Sequence, residues 1–127
     1  SSNLIEGMLK IKDEVKSVEV EGLGTFSVYF PIEKPWMISG RRIVMSIRPE
    51  KIDISKTPLA GFSNALEGIV QSIVYHGRST QYNVQLKNGE IVQVFEQNEE
   101  HFPQEIIDYD DPVFLYWQKE NVVLLEK

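Results

Sequence analysis

Thr80-Gln81-Tyr82-Asn83-Val84-Gln85-Leu86-Lys87-Asn88-Gly89-Glu90-Ile91-Val92-Gln93-Val94-Phe95 is the stretch on which the reading of the fold turns. Tyr82, Val84 and Leu86 fall on one face at a period of two, and the alternation resumes after Lys87-Asn88-Gly89. A period of two is that of a half-buried strand, not of a helix. Asn88-Gly89 between two alternating runs is a strong hairpin signal, because both residues tolerate the positive φ of tight turns. Working outward, Ile69 to Tyr75 reads as the preceding strand, with His76-Gly77-Arg78-Ser79 as its turn. Val113 to Trp117 and Val122 to Leu125 flank Lys119-Glu120-Asn121 as another pair. The first half reads alike: Leu4 to Ile11, Lys16 to Val20, Thr25 to Phe30, Arg41 to Ile47 and Ile52 to Ser55. Helical signals are sparse, the best being a short turn or helix at Gln104-Glu105-Ile106-Ile107 after Pro103. Many short strands with regular turn signals predict an all-β barrel or sandwich.

Ser2-Asn3-Leu4-Ile5-Glu6-Gly7 recurs as Ser63-Asn64-Ala65-Leu66-Glu67-Gly68, with Ser, Asn, Glu and Gly identical and Ile5 matched by Leu66. Each copy opens a predicted strand, so duplication is the better reading. Lys56-Thr57-Pro58-Leu59-Ala60-Gly61 reads as the linker. The expected organisation is two small β units in tandem, residues 1–61 and 62–127, with strand exchange between them open.

The 127 residues are 42% hydrophobic and 25% charged, ordinary for a globular domain. No window approaches a membrane span. Zero cysteines exclude a disulfide scaffold and a thiolate metal site. The chain opens on Ser1-Ser2 rather than Met, which reads as a fragment of a longer protein. A net charge of −6 argues against nucleic acid, whose binding rests on phosphate neutralisation. No Gly-Lys dipeptide is present for a phosphate loop, and Gly22-Leu23-Gly24 reads as a turn between strands. His76 and His101 lack a second imidazole at metal-ligand spacing, and no serine sits in a nucleophile elbow. No catalytic and no metal site is expected. Tyr75, Tyr82, Phe95, Tyr116 and Trp117 read mainly as core rather than as a stacking platform. Glu96, Glu99, Glu100, Glu105, Asp108, Asp110 and Asp111 crowd the late part of the chain, as a solvated face or a site for a cation. Their spacing does not match a calcium loop.

Asn64-Ala65-Leu66-Glu67-Gly68-Ile69-Val70 resembles the entry motif of the TOBE module, an OB-like barrel, with Asn64, Glu67 and Gly68 as its key positions. Ser46-Ile47-Arg48-Pro49-Glu50-Lys51-Ile52 resembles the Arg-Pro-Glu signature of the same region in importer ATPases of the ATP-binding cassette class. The segments from Glu96 to Trp117 and Glu120 to Leu124 look most like spermidine/putrescine import ATPases. The resemblance implies two OB-like barrels forming a regulatory and dimerisation domain that follows an N-terminal cassette. It implies ATP and Mg in the parent chain and none in this segment. Its partners would be a second copy of the subunit and the membrane permeases, at the cytoplasmic face of the inner membrane. Arg48, Pro49 and Glu50 carry over as a signature turn, structural first and interfacial second. In a polyamine importer, Glu96, Glu99, Glu100, Asp108, Asp110 and Asp111 are candidate polyamine contacts, with Tyr109 or Trp117 packing on the ligand stem. A free-standing small-ligand module, or the same domain from an importer of sugar, iron or sulfate, is the alternative.

Overall fold

The computed structural model describes residues 1–97 and 106–127. Its strands are β1 (Asn3–Lys12), β2 (Val15–Val20), β3 (Gly24–Ser27), β4 (Arg42–Ile47) and β5 (Asp53–Ser55). They are followed by β6 (Asn64–Tyr75), β7 (Ser79–Leu86), β8 (Ile91–Gln97), β9 (Pro112–Trp117) and β10 (Val122–Glu126). All paired strands are antiparallel and make two sheets, ordered β10-β4-β1-β2-β3 and β5-β9-β6-β7-β8. The sheets are copies of one another. Each is completed from across the 61/62 boundary: β5 joins the second sheet and β10 the first. The strand exchange left open by the sequence is therefore present.

Alternation explains which residues go inside. Tyr82, Val84 and Leu86 are buried while Gln85 is exposed; Val92 and Val94 are buried from β8. The buried apolar residues of both sheets form one cluster, and Phe26 packs on Trp117 at 5.4 Å between ring centroids, joining the sheets. The hairpin between β7 and β8 has Gly89 at φ 92°. Asn88, by contrast, keeps a negative φ. The Gly89 amide donates to Leu86 O at 2.9 Å and the Leu86 amide to Glu90 O at 2.8 Å. This is a turn closed by a glycine bulge, which needs only one left-handed residue. At the predicted short turn or helix, Ile106 and Ile107 are not helical; Gln104 and Glu105 lie outside the described residues.

β1 and β6 are the long strands because each pairs with its two neighbours along successive lengths rather than side by side. Asn3–Met8 pairs with β4 and Met8–Lys12 with β2; Asn64–Ile69 pairs with β9 and Gly68–Tyr75 with β7, around an irregularity between Val70 and Ser72. The repeated glycine sits at this change of partner. A Cβ on Gly7 would stand 2.5 Å from Val18 Cγ1 and 2.7 Å from Glu19 O, and one on Gly68 would strike Val84 Cγ1 and stand 2.9 Å from Gln85 O. Close approach of the neighbouring backbone, not turn geometry, demands glycine here.

Candidate functional site

The repeated entry motif builds the junction of the two sheets. Asn3 Nδ2 donates to Gln93 O at 2.9 Å while the Gln93 amide donates to Asn3 Oδ1 at 2.8 Å. Asn64 does the same to Ser27, at 2.9 and 2.7 Å. Gln93 lies in β8 and Ser27 in β3, so each asparagine clamps an edge strand of the other sheet. Both asparagines are buried, and a carboxamide is the side chain that offers one donor and one acceptor to a single backbone residue. The sequence singled out Asn64 as a motif residue, but not the reciprocal role of Asn3; the repeat itself was the available signal.

The motif glutamate has different surroundings in the two copies. Glu6 accepts from Lys127 Nζ at 2.9 and 3.0 Å and pairs with Arg42 at 3.7 Å. These contacts hold the Glu6 carboxyl below its ordinary range, the Lys127 hydrogen bond foremost. Glu67 has no hydrogen bond or ion pair among the described residues. It lines a groove of about 930 Å³ with Ala65, Ile69, Lys56, Lys87 and Phe114.

Arg48-Pro49-Glu50 is the point at which the chain leaves one sheet for the other. Pro49–Lys51 forms a single 3-10 turn between β4 and β5, with the proline at its start, where the missing N–H costs nothing and φ is already set. Pro49 is buried, and Arg48 Nε meets Glu50 Oε2 at 3.2 Å on the surface. The Glu50 carboxyl is held low chiefly by its own backbone amide, with Arg48 adding to it. Arg48, Pro49 and Glu50 line a hollow of about 500 Å³ with Ser1, Phe95 and Gln97. The second copy of this crossing is Gln118 followed by the 3-10 turn Lys119–Asn121. Gln118, not foreseen as important, accepts from the Ser63 amide and hydroxyl at 3.1 and 3.0 Å and donates to Gly61 O at 2.8 Å. The linker is thereby laid on the second sheet, where the Leu59 amide donates to Tyr116 Oη at 2.8 Å and Phe62 packs on the Tyr116 ring at 5.1 Å.

The late acidic residues do not gather into one site among those described. Glu99 and Glu100, with Glu105 and His101, lie outside the described residues. Glu96, at the end of β8, raises the Tyr82 hydroxyl, which burial first and this carboxylate second push up to about 12. Asp108 and Asp111 close a turn on themselves: the Asp108 amide donates to Asp111 Oδ2 at 2.7 Å and the Tyr109 amide to Asp108 Oδ1 at 2.8 Å. Asp111 also meets Lys56 at 3.3 Å, and its carboxyl is held low by the Asp108 amide first and Lys56 second. Asp110 is exposed in a left-handed conformation at φ 67°. Tyr109 is 61% exposed and free to pack on a ligand, whereas Trp117 is 2% exposed and committed to the core, which corrects its expected role. Tyr82 and Tyr116 are buried as expected, but Tyr75 is 74% exposed. His76 Nε2 lies 3.1 Å from Gln81 Oε1 in its turn. Among the described residues no group of His, Asp and Glu is placed to hold a metal ion.

Comparison with known proteins bears on this arrangement. The family described as the TOBE domain matches residues 45–125. A spermidine/putrescine import ATP-binding protein of Thermotoga maritima is 32% identical over 98% of the chain and 34% of its own length. Proteins of the same description from Trichodesmium erythraeum and Treponema pallidum are 32% and 34% identical over 69% and 68% of the chain, and 22% and 24% of their own lengths. The chain thus spans about a third of the first of these relatives and less than a quarter of the other two. Among solved structures, the cytoplasmic molybdate-binding protein ModG superposes with a TM-score of 0.85 at 14% identity, covering 98% of this chain and 96% of that one. That likeness establishes the fold: two OB-like units in tandem.

Proposed function

The chain belongs to the TOBE domain family, and on that premise we propose that it is the regulatory and dimerisation domain of the ATP-binding subunit of a polyamine importer. The observation that carries this reading is the match along 98% of the chain to a relative named for spermidine and putrescine import. That name favours polyamines over the sugars, iron or sulfate that other importers take. In this reading the cassette, with its ATP and Mg, belongs to the two-thirds of the relative's length that the match leaves uncovered. A second copy of the subunit and the membrane permeases are the partners, met at the cytoplasmic face; nucleic acid is not one. No helix among the described residues is long and apolar enough to cross a membrane, which agrees with a peripheral position. Arg48 and Glu50 are exposed on either side of the buried Pro49 and can touch a neighbouring domain, and Glu96, Asp108 and Asp110 remain candidate polyamine contacts.

The test is transport by the full-length subunit assembled with its permeases, with and without residues 1–127. The expected result is ATP hydrolysis that persists but no longer responds to loaded substrate, with spermidine taken up by the intact assembly. Identical regulation in both forms, or uptake of a sugar instead of spermidine, would overturn the reading. A second reading, a free-standing small-ligand module, is favoured by one observation: the same two-unit architecture makes up 96% of the ModG chain.

A further inference from the structure

The two copies of the entry motif answer a question about each other. On the outer face of the first sheet, Glu6 lies opposite Val44, and Val44 opposite Leu125. On the second, Glu67 lies opposite Phe114, and Phe114 opposite Ser55. This register fixes the counterparts of the residues around Glu6: Arg42 becomes Pro112, Lys127 becomes Thr57, and Leu4 becomes Ala65. A neighbouring ion pair survives the duplication with its charges reversed. Arg41 meets Glu126 at 3.5 Å in the first copy, and Asp111 meets Lys56 at 3.3 Å in the second. The pair around Glu6 has no such replacement. Both cations are gone, the leucine has shrunk to alanine, and a groove of about 930 Å³ stands where they would be.

We infer that this groove, on the outer face of the second sheet, is a binding site for a primary ammonium on an alkyl stem, with Glu67 as its anion. The internal precedent is the Lys127 ammonium on Glu6 at 2.9 and 3.0 Å. The valine opposite that carboxylate is replaced by a half-buried phenylalanine, Phe114, and an aromatic face beside a carboxylate attracts a cation that carbon chains can follow. Ile69, 50% exposed, extends the apolar wall along which a stem would lie. Lys56, held by Asp111 at 3.3 Å, and Lys87, with no ion pair among the described residues, also line the groove and oppose a second positive charge. The ligand is therefore a monoammonium, such as a lysine side chain carries, rather than a polycation. This inference stands apart from the transport reading.

The test is NMR titration of the 127-residue chain with n-butylammonium, N-acetyl-lysine methylamide, 1,4-diaminobutane and, as an uncharged control, n-butanol. Saturable shifts at Ala65, Glu67, Ile69 and Phe114 are expected with the first two probes. Glu67→Gln is expected to weaken them about fivefold, the upper end for a lightly sheltered ion pair. Glu19→Gln, which removes an exposed carboxylate on β2, should leave them unchanged. Tighter binding of the lysine derivative than of butylammonium assigns the site to a partner's side chain, and the reverse to a free amine; either supports the site. Shifts of equal size around Glu19, an affinity unchanged by Glu67→Gln, equal shifts with butanol, or tighter binding of the diamine would each overturn it.

Discussion

Asn64 satisfies both backbone groups of Ser27 at a sheet edge, and its 5% exposure means water cannot take its place. Truncation would leave a buried donor and a buried acceptor unpaired, a cost of about 1–3 kcal/mol. Aspartate is the more discriminating substitution, because it keeps the acceptor for the Ser27 amide and turns a second oxygen on the Ser27 carbonyl. Urea denaturation is expected to rank Asn64→Asp at neutral pH no better than Asn64→Ala, despite its closer shape. An aspartate variant as stable as the parent would show that the carboxamide donor contributes nothing. Asn3 occupies the same place on the other sheet, so the same ranking is expected there. The two glycines of the motif act by absence: each lets a neighbouring backbone come where a methyl group would collide.

The last strand is tied at its open end by charge. Lys127 and Arg42 hold Glu6, and Arg41 meets Glu126, so β10 is fastened to β1 and to the approach of β4. The Glu6 carboxyl is held below its ordinary value of 4.5. Its contribution is therefore complete above that value and is lost as pH falls through the lower folded one. Lys127→Ala is expected to move the Glu6 titration, followed by side-chain NMR, upward towards the ordinary carboxylate range, while Glu50, paired elsewhere with Arg48, does not move. A Glu6 titration unchanged by the substitution would mean the contact is not populated in solution. At this scale the sequence is legible in part. Alternation marked all ten strands among the described residues, and Asn88-Gly89 marked a hairpin, because burial on one face writes a period of two into the chain. Sheet membership left no such trace: Asp53-Ile54-Ser55 alternates equally well whichever sheet receives it. The clamp partners Gln93 and Ser27 offer only backbone, so no side-chain type announced them. The Glu67 groove was hidden for a related reason, since the loss of its cations shows only once register aligns Pro112 with Arg42.

The exchange of β5 and β10 makes the two halves depend on one another. β10 brings Val122 and Leu124, 5% and 7% exposed, into the first sheet, and it covers the edge of β4. Side chains of this kind are worth about 1.5–3 kcal/mol each when fully buried, a large part of the roughly 5–15 kcal/mol that holds a domain together. Ile54 of β5 does the same for the second sheet, and the apolar residues of both sheets form a single cluster. The division at residues 1–61 and 62–127 is thus proposed as a division of repeats and not of folding units. Residues 1–61 expressed alone are expected to lack dispersed amide signals, because β4 would be an open edge and β5 would have no sheet to join. The whole chain should unfold in one step. The buried Trp117, observed by fluorescence in a Trp36→Phe variant, reports on the second sheet, and the amide of Leu9, observed by NMR, reports on the first. Coincident urea midpoints are expected for the two probes, the signature of one cooperative unit. Separate midpoints, or a folded 1–61 segment, would show instead that each half carries its own stability and that the exchanged strands are a late addition to two complete domains.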